Sequence, residues 1–198
     1  DFYSPILKLL ISYLNTKESS TYFNKQSENA LIYVLESLLI AINYDNEIKE
    51  EVIVLCLIFF NKLFEKYPNT TKNINFEHIL NLFKNKNEKI ACHAIRLISN
   101  TLIADHTKCE LFEVDIYVNL LFDIYYNKYD NSSDDVRLEI LFLLTNLIRI
   151  ESKSLFINLC NDERLLQVFV DILEWEDPDS VDAIICSLSK MINTEKSD

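Results

Sequence analysis

Not one of the 198 residues is glycine, and this absence constrains the fold more than any motif. At the usual frequency of about 7 %, a chain of this length would hold about 14 glycines. Phosphate-cradling loops, dinucleotide-binding turns, kinase glycine loops and the elbow of serine hydrolases all need positive φ or close backbone approach, so none can be built here. Two-residue hairpins of the Asn-Gly or Asp-Gly type are also missing, which argues against an all-β fold. Nothing marks a nucleophile, base and oxyanion-hole trio, and a non-enzymatic protein is expected.

Charge is distributed unevenly. Residues 1–100 carry 11 basic and 11 acidic groups and residues 101–198 carry 8 and 20, so the whole net charge of −12 lies in the second half. Such a surface repels phosphate backbones, whose binding depends on Lys and Arg displacing counterions. Lys72, Lys84, Lys86 and Lys89 make only a small basic patch. A protein or peptide partner, basic or neutral, fits better than nucleic acid. Cys56, Cys92, Cys109, Cys160 and Cys186 are odd in number, sit mostly in apolar stretches and read as buried free thiols, a usage that suits a reducing compartment. Cytosol or nucleus is expected, although sequons occur at Asn69 and Asn131. The longest apolar run, Val52 to Phe60, is far short of the roughly 18 residues a bilayer requires, so no membrane insertion is expected. With no initiator Met and no leader pattern, the chain reads as a piece of a longer one.

Apolar residues recur at helical spacing almost throughout, which predicts an all-α protein. Ser4 is expected as N-cap with Pro5 at the first helical position, the helix ending near Asn15. Further helices are expected over Ser27 to Tyr44, Asn46 to Tyr67, Asn75 to Lys84, Glu88 to Ala104 and Thr107 to Glu113. The rest are Asp115 to Tyr129, Asp134 to Ile150, Ser152 to Cys160, Asp162 to Trp175 and Asp179 to Asn193. In the second half, short, medium and long apolar helices recur in that order. The long segments LCLIFFNKL, IRLISNTLI, LFLLTNLI and CSLSKMI align with Asn61, Asn100, Asn146 and Lys190 in one column, at intervals of 39, 46 and 44. A period near 40–47 residues in a helical chain indicates a solenoid whose units bury their apolar faces against their neighbours.

From about Phe76 to Asn193 the chain resembles the armadillo-repeat family, with HEAT repeats close by. LISNTL and LLTNLI are similar to the end of that family's long third helix. The resemblance implies a right-handed α-solenoid of about four repeats in a single domain, with residues 1–45 capping or irregular and units at 46–105, 106–150 and 151–198. The chain departs from the family in lacking the glycine between first and second helices, so bends are expected near Val114 and Asp162. Nuclear-import receptors place a tryptophan four positions before the asparagine. Here those positions are Leu57, Arg96, Phe142 and Cys186, which argues against recognition of import signals.

The resemblance also implies a concave groove lined by the long helices. Lys89, His93, Arg96 and Asn100 share one stripe, Asp135, Glu139, Phe142, Asn146 and Arg149 a second, and Asp179, Cys186, Lys190 and Asn193 a third. Of these, Asn100, Asn146, His93, Arg96, Glu139, Phe142, Arg149 and Lys190 are the expected partner-binding residues. A carboxamide both donates to and accepts from a peptide unit, so asparagine suits a groove that holds another chain. Armadillo-type Hsp70 nucleotide-exchange cofactors and formin-type regulators of actin, which the resemblance also brings in, are the alternative roles. A structural role with the groove filled by the protein's own termini or a second subunit is also open.

The remaining constellations have simpler readings. Glu174, Glu176, Asp177, Asp179 and Asp182 surround Trp175 and could face a basic segment, yet helix capping accounts for Asp177 and Asp179. Tyr125, Tyr126 and Tyr129 are expected to pack between helices. Cys92, His93, His106 and Cys109 lack the spacing of a zinc site, and no metal or other cofactor is expected.

Overall fold

The computed structural model describes residues 3–15, 33, 37, 49–67, 76–112, 115–128, 134–150 and 152–194. Among them the chain is helical and has no strand. The expected helix over Ser27 to Tyr44 apart from Tyr33 and Ser37, both sequons, Lys72, Val114 and Tyr129 lie outside the described residues. The protein divides into two compact units, Asp1–Asp105 and His106–Asp198.

In the first unit, α1 (Tyr3–Leu14) packs on α2 (Glu50–Lys66), and α2 packs on α4 (Glu88–Ala104). The short α3 (Glu77–Asn81) tightens into a 3₁₀ turn at Leu82–Lys84 and lies against α4. Helix α2 is central because it is apolar on several sides: Ile53, Cys56, Leu57, Phe59, Phe60, Leu63 and Phe64 are all buried. A helix buried all round must have neighbours on more than one flank.

Side-chain contacts set the direction of these helices. Ser4 Oγ donates to Glu51 Oε1 at 3.3 Å near the start of α1 and α2, and Lys62 Nζ donates to Asn15 Oδ1 at 3.0 Å near their ends. Between α2 and α4, Asn87 Nδ2 reaches Glu50 Oε2 at 2.7 Å near the N-terminal ends, and Asn100 Nδ2 reaches Asn61 Oδ1 at 3.0 Å farther along. Both pairs therefore run parallel. Ser4, expected as an N-cap, lies instead inside α1 and is buried, its hydroxyl spent on Glu51.

The second unit begins with a 3₁₀ segment at His106–Phe112, followed by α5 (Asp115–Asp123), which widens into a π turn at Ile124–Lys128. The long α6 (Asp134–Arg149) comes next, then α7 (Lys153–Cys160), α8 (Glu163–Leu173) and α9 (Pro178–Thr194). α6 packs on α8 and α9, and α8 also packs on α9. Lys190 Nζ near the end of α9 donates to the carbonyls of Arg149 and Ile150 at 2.8 and 3.4 Å, bringing the C-terminal ends of α6 and α9 together.

Bends without glycine use residues in extended conformation, several of which double as caps. Lys49, Asn87, Ser152 and Asp162 have ψ of 135°, 111°, 109° and 108° before α2, α4, α7 and α8. Asn87, Ser152 and Asp162 accept from the backbone N–H of Lys89, Leu155 and Arg164. Extended Lys49 starts α2 at Glu50 rather than at Asn46 as expected. Among the described residues only Glu176 has positive φ, 55°, at the turn between α8 and α9.

Candidate functional site

The first stripe lies on α4. Lys89 and Arg96 are exposed, His93 and Asn100 half-buried. Asn100 does not project freely: its amide bonds Asn61, and Asn61, 4 % exposed, donates at 3.0 Å to the carbonyls of Leu57 and His93. Two asparagines of the aligned column therefore join neighbouring long helices. Burial, assisted by the charges of Arg96 and Lys89, lowers the His93 pKa, and its Nδ1 is buried without a hydrogen-bond partner. Lys89 and Arg96 stand exposed on the same helix on either side of His93.

The second stripe, on α6, is less open than its sequence suggests. Asp135 and Arg149 are exposed and Phe142 and Asn146 half-buried, but Glu139 is buried at 7 %. Its position between Val136 and Ile140, both in the core, turns it toward the packed side rather than a groove. In the third stripe Cys186 is exposed, not a buried thiol as its apolar flanks imply; Cys56 and Cys109 are the buried ones. Lys190, in the asparagine column, spends its ammonium on the end of α6 and lies 5.8 Å from the Phe156 ring. Lys66 Nζ does the same for α1, donating to Leu14 O at 2.9 Å. In both units a lysine thus covers the electronegative end of a neighbouring helix.

Arg164 organises the other side of the second unit. Its guanidinium stands 4.4 Å from the Phe122 ring, bonds Asn119 Oδ1 at 2.6 Å and holds Asp162 in a 2.6 Å ion pair, tying the start of α8 to α5. That hydrogen bond holds the Asp162 carboxyl below its ordinary value. Beside this joint opens a cleft of about 610 Å³ whose walls include Phe112, Asn119, Leu155, Asn158 and Asn161. Tyr126 Oη bonds the Arg164 carbonyl at 3.2 Å, and buried Tyr125 stacks edge-on against it, with ring centroids 4.9 Å apart. Burial first, and nearby Asp171 second, raise both phenols. These contacts were not legible in sequence, because Arg164 reads there only as one residue of a helix's first turn.

The acidic cluster around Trp175 is partly structural: Asp177 accepts the backbone N–H and the hydroxyl of Ser180 at 2.9 and 2.6 Å, capping α9. His106 and Cys109 border a separate cleft of about 550 Å³ with Glu110 and Lys153. Among the described residues no group of three or more His, Cys, Asp or Glu could hold a metal ion. No described helix is long and apolar enough to cross a membrane. No protein-family model, curated protein or solved structure matches the chain.

Proposed function

We propose that this chain is a non-enzymatic α-solenoid interaction module of about four armadillo- or HEAT-like repeats, which holds a peptide or helical segment of a protein partner along its long helices. The observation that carries the reading is the parallel run of α1, α2 and α4, with Asn61 and Asn100 spanning the seam 39 residues apart. Parallel neighbours require the intervening chain to return to the same end, which is how a helical repeat unit is built. In the second unit α6 packs on α9 with their C-terminal ends together, which supports the same neighbour relation there.

In this reading Asn61 and Asn100 set the spacing of the long helices, while Lys89, His93 and Arg96 in the first unit and Phe142, Asn146 and Arg149 in the second are the positions that meet the partner. The acidic second half favours a basic or neutral partner and speeds its encounter at low salt. A photo-crosslinking residue placed at Phe142 tests it. Capture of a partner polypeptide through position 142, and none through exposed Asn81 on α3, is expected. Capture through 81 alone would contradict the groove.

A further inference from the structure

The α8–α9 hairpin is the counterpart of α5–α6 within the second unit, and comparing the two exposes an uncovered face. Leu121-Phe122-Asp123-Ile124 aligns with Phe169-Val170-Asp171-Ile172, and Asn146 aligns with Lys190. The inward positions agree: Leu121 and Ile124 are buried and so are Phe169 and Ile172, while Val136, Ile140 and Leu143 match buried Ser180, Ile184 and Ser187. The outward positions do not agree. Val170 is 54 % exposed where Phe122 is 1 %, and Ile185 and Ile192 are 54 and 56 % exposed where Leu141 and Ile148 are fully buried. Leu166 and Leu173, one turn to either side of Val170 on the same side of α8, are exposed as well.

In α5 the cover is visible, since Phe122 lies beneath the Arg164 guanidinium of α8. On α8 and α9 the same positions carry aliphatic side chains that have no comparable cover among the described residues. Their surroundings are acidic: Glu163, Glu174, Glu176, Asp179 and Asp182 are exposed. The only basic residues from Asp162 to Asn193 are Arg164 and Lys190. Both are already engaged, one with Asp162 and Phe122, the other with the end of α6.

We infer that the outer face of the α8–α9 hairpin, centred on Val170 and Ile185, docks a basic amphipathic helix of a partner protein. The helix would lay its apolar side on Leu166, Val170, Leu173, Ile185 and Ile192 and place Lys or Arg against the acidic rim, an arrangement in which spacing and charge both select. A second copy of this chain meeting the same face would set one acidic rim against another. This surface is distinct from the groove proposed above and does not depend on it.

The test uses the whole chain and two fluorescent 18-residue helical peptides of identical apolar pattern, one built from Leu and Lys and the other from Leu and Glu. Anisotropy is expected to show binding of the Leu/Lys peptide alone. Val170→Asp with Ile185→Asp should weaken that binding by about tenfold or more, while Asn81→Ala, at an exposed position on α3, leaves it unchanged. Both replaced side chains are exposed, and circular dichroism checks that the fold is kept. If charge alone attracted the peptide, the two added carboxylates would tighten binding, and the inference would be overturned. Equal binding of the Leu/Glu peptide, no binding of either peptide, or sedimentation showing a dimer that the double variant dissociates would also overturn it.

Discussion

The carboxamide of Asn100 donates to that of Asn61 at 3.0 Å, and Asn61 in turn donates to the carbonyls of Leu57 on its own helix and His93 on the next. Asn61 is therefore a rivet between α2 and α4, and its position in the aligned column reflects helix spacing rather than ligand contact. Asn61→Ala would strand the Asn100 amide at a largely buried seam. A loss of about 1–3 kcal/mol is expected, with less for Asn100→Ala, whose position is half-buried. A double-mutant cycle read by urea denaturation should give a coupling of about 0.5–3 kcal/mol. Additive effects would mean that the two side chains act independently.

Leu143 is fully buried on the inward side of α6. Its replacement by Ala should cost about 2–5 kcal/mol, since removing buried methyl groups loses transfer energy and leaves a cavity. An unchanged denaturation midpoint would reject that packing.

Glu176 occupies the left-handed region at φ 55°, the turn where other chains commonly place glycine. A non-glycine residue there costs roughly 1–2 kcal/mol, partly offset because glycine loses more backbone entropy on folding. Glu176→Gly is therefore expected to stabilise the protein by about 0.5–1 kcal/mol. A lower melting temperature in the variant would show that the Glu176 side chain contributes something the backbone argument omits.

Acid should destabilise the fold in two windows. Asp162 is held low by the Arg164 hydrogen bond, Asp177 by Ser180, and Glu51 by Lys8. Groups whose pKa is depressed on folding stabilise above their unfolded value, near 4, and lose that contribution as pH falls through the folded value. His93 is also depressed, by burial first. It takes up a proton more readily when unfolded, so stability falls as pH drops from about 6.5 toward its folded value. Urea midpoints measured from pH 7 to 3 should decline in both ranges. Asp162→Asn should flatten the lower limb and His93→Gln the upper, and a His93→Gln profile identical to that of the parent would contradict the assignment.

Much of the helical pattern was legible in the sequence for a physical reason: polar residues that end one helix also cap the next. Helix α4 is found at Glu88–Ala104, as its periodicity and the polar residues before it indicate, and Ser152 and Asp162 sit one residue ahead of α7 and α8 as N-caps. The expected bend at Asp162 is present. What could not be read is which side of a periodic helix meets which neighbour. Glu139 looks like a groove residue until Val136 and Ile140 fix the buried side, and Cys186 looks like core until α9 turns it outward. The π turn after Asp123 shifts the register of the tyrosine run, so Tyr125 is buried while Tyr126 reaches the surface and bonds Arg164. Pairings across 39 to 47 residues, such as Ser4 with Glu51 and Asn61 with Asn100, depend on packing rather than on any local signal.

The central claim is that, within a unit, neighbouring long helices lie side by side in the same direction. Nuclear Overhauser spectroscopy on isotopically labelled protein tests it most directly. Cross-peaks joining Asn87 to Glu50 and Asn100 to Asn61 are expected together, since the parallel arrangement brings both pairs within hydrogen-bonding distance. Cross-peaks joining Asn100 to Glu50 and Asn87 to Asn61 would mean that α2 and α4 run in opposite directions, and would contradict the repeat architecture on which the proposed function rests.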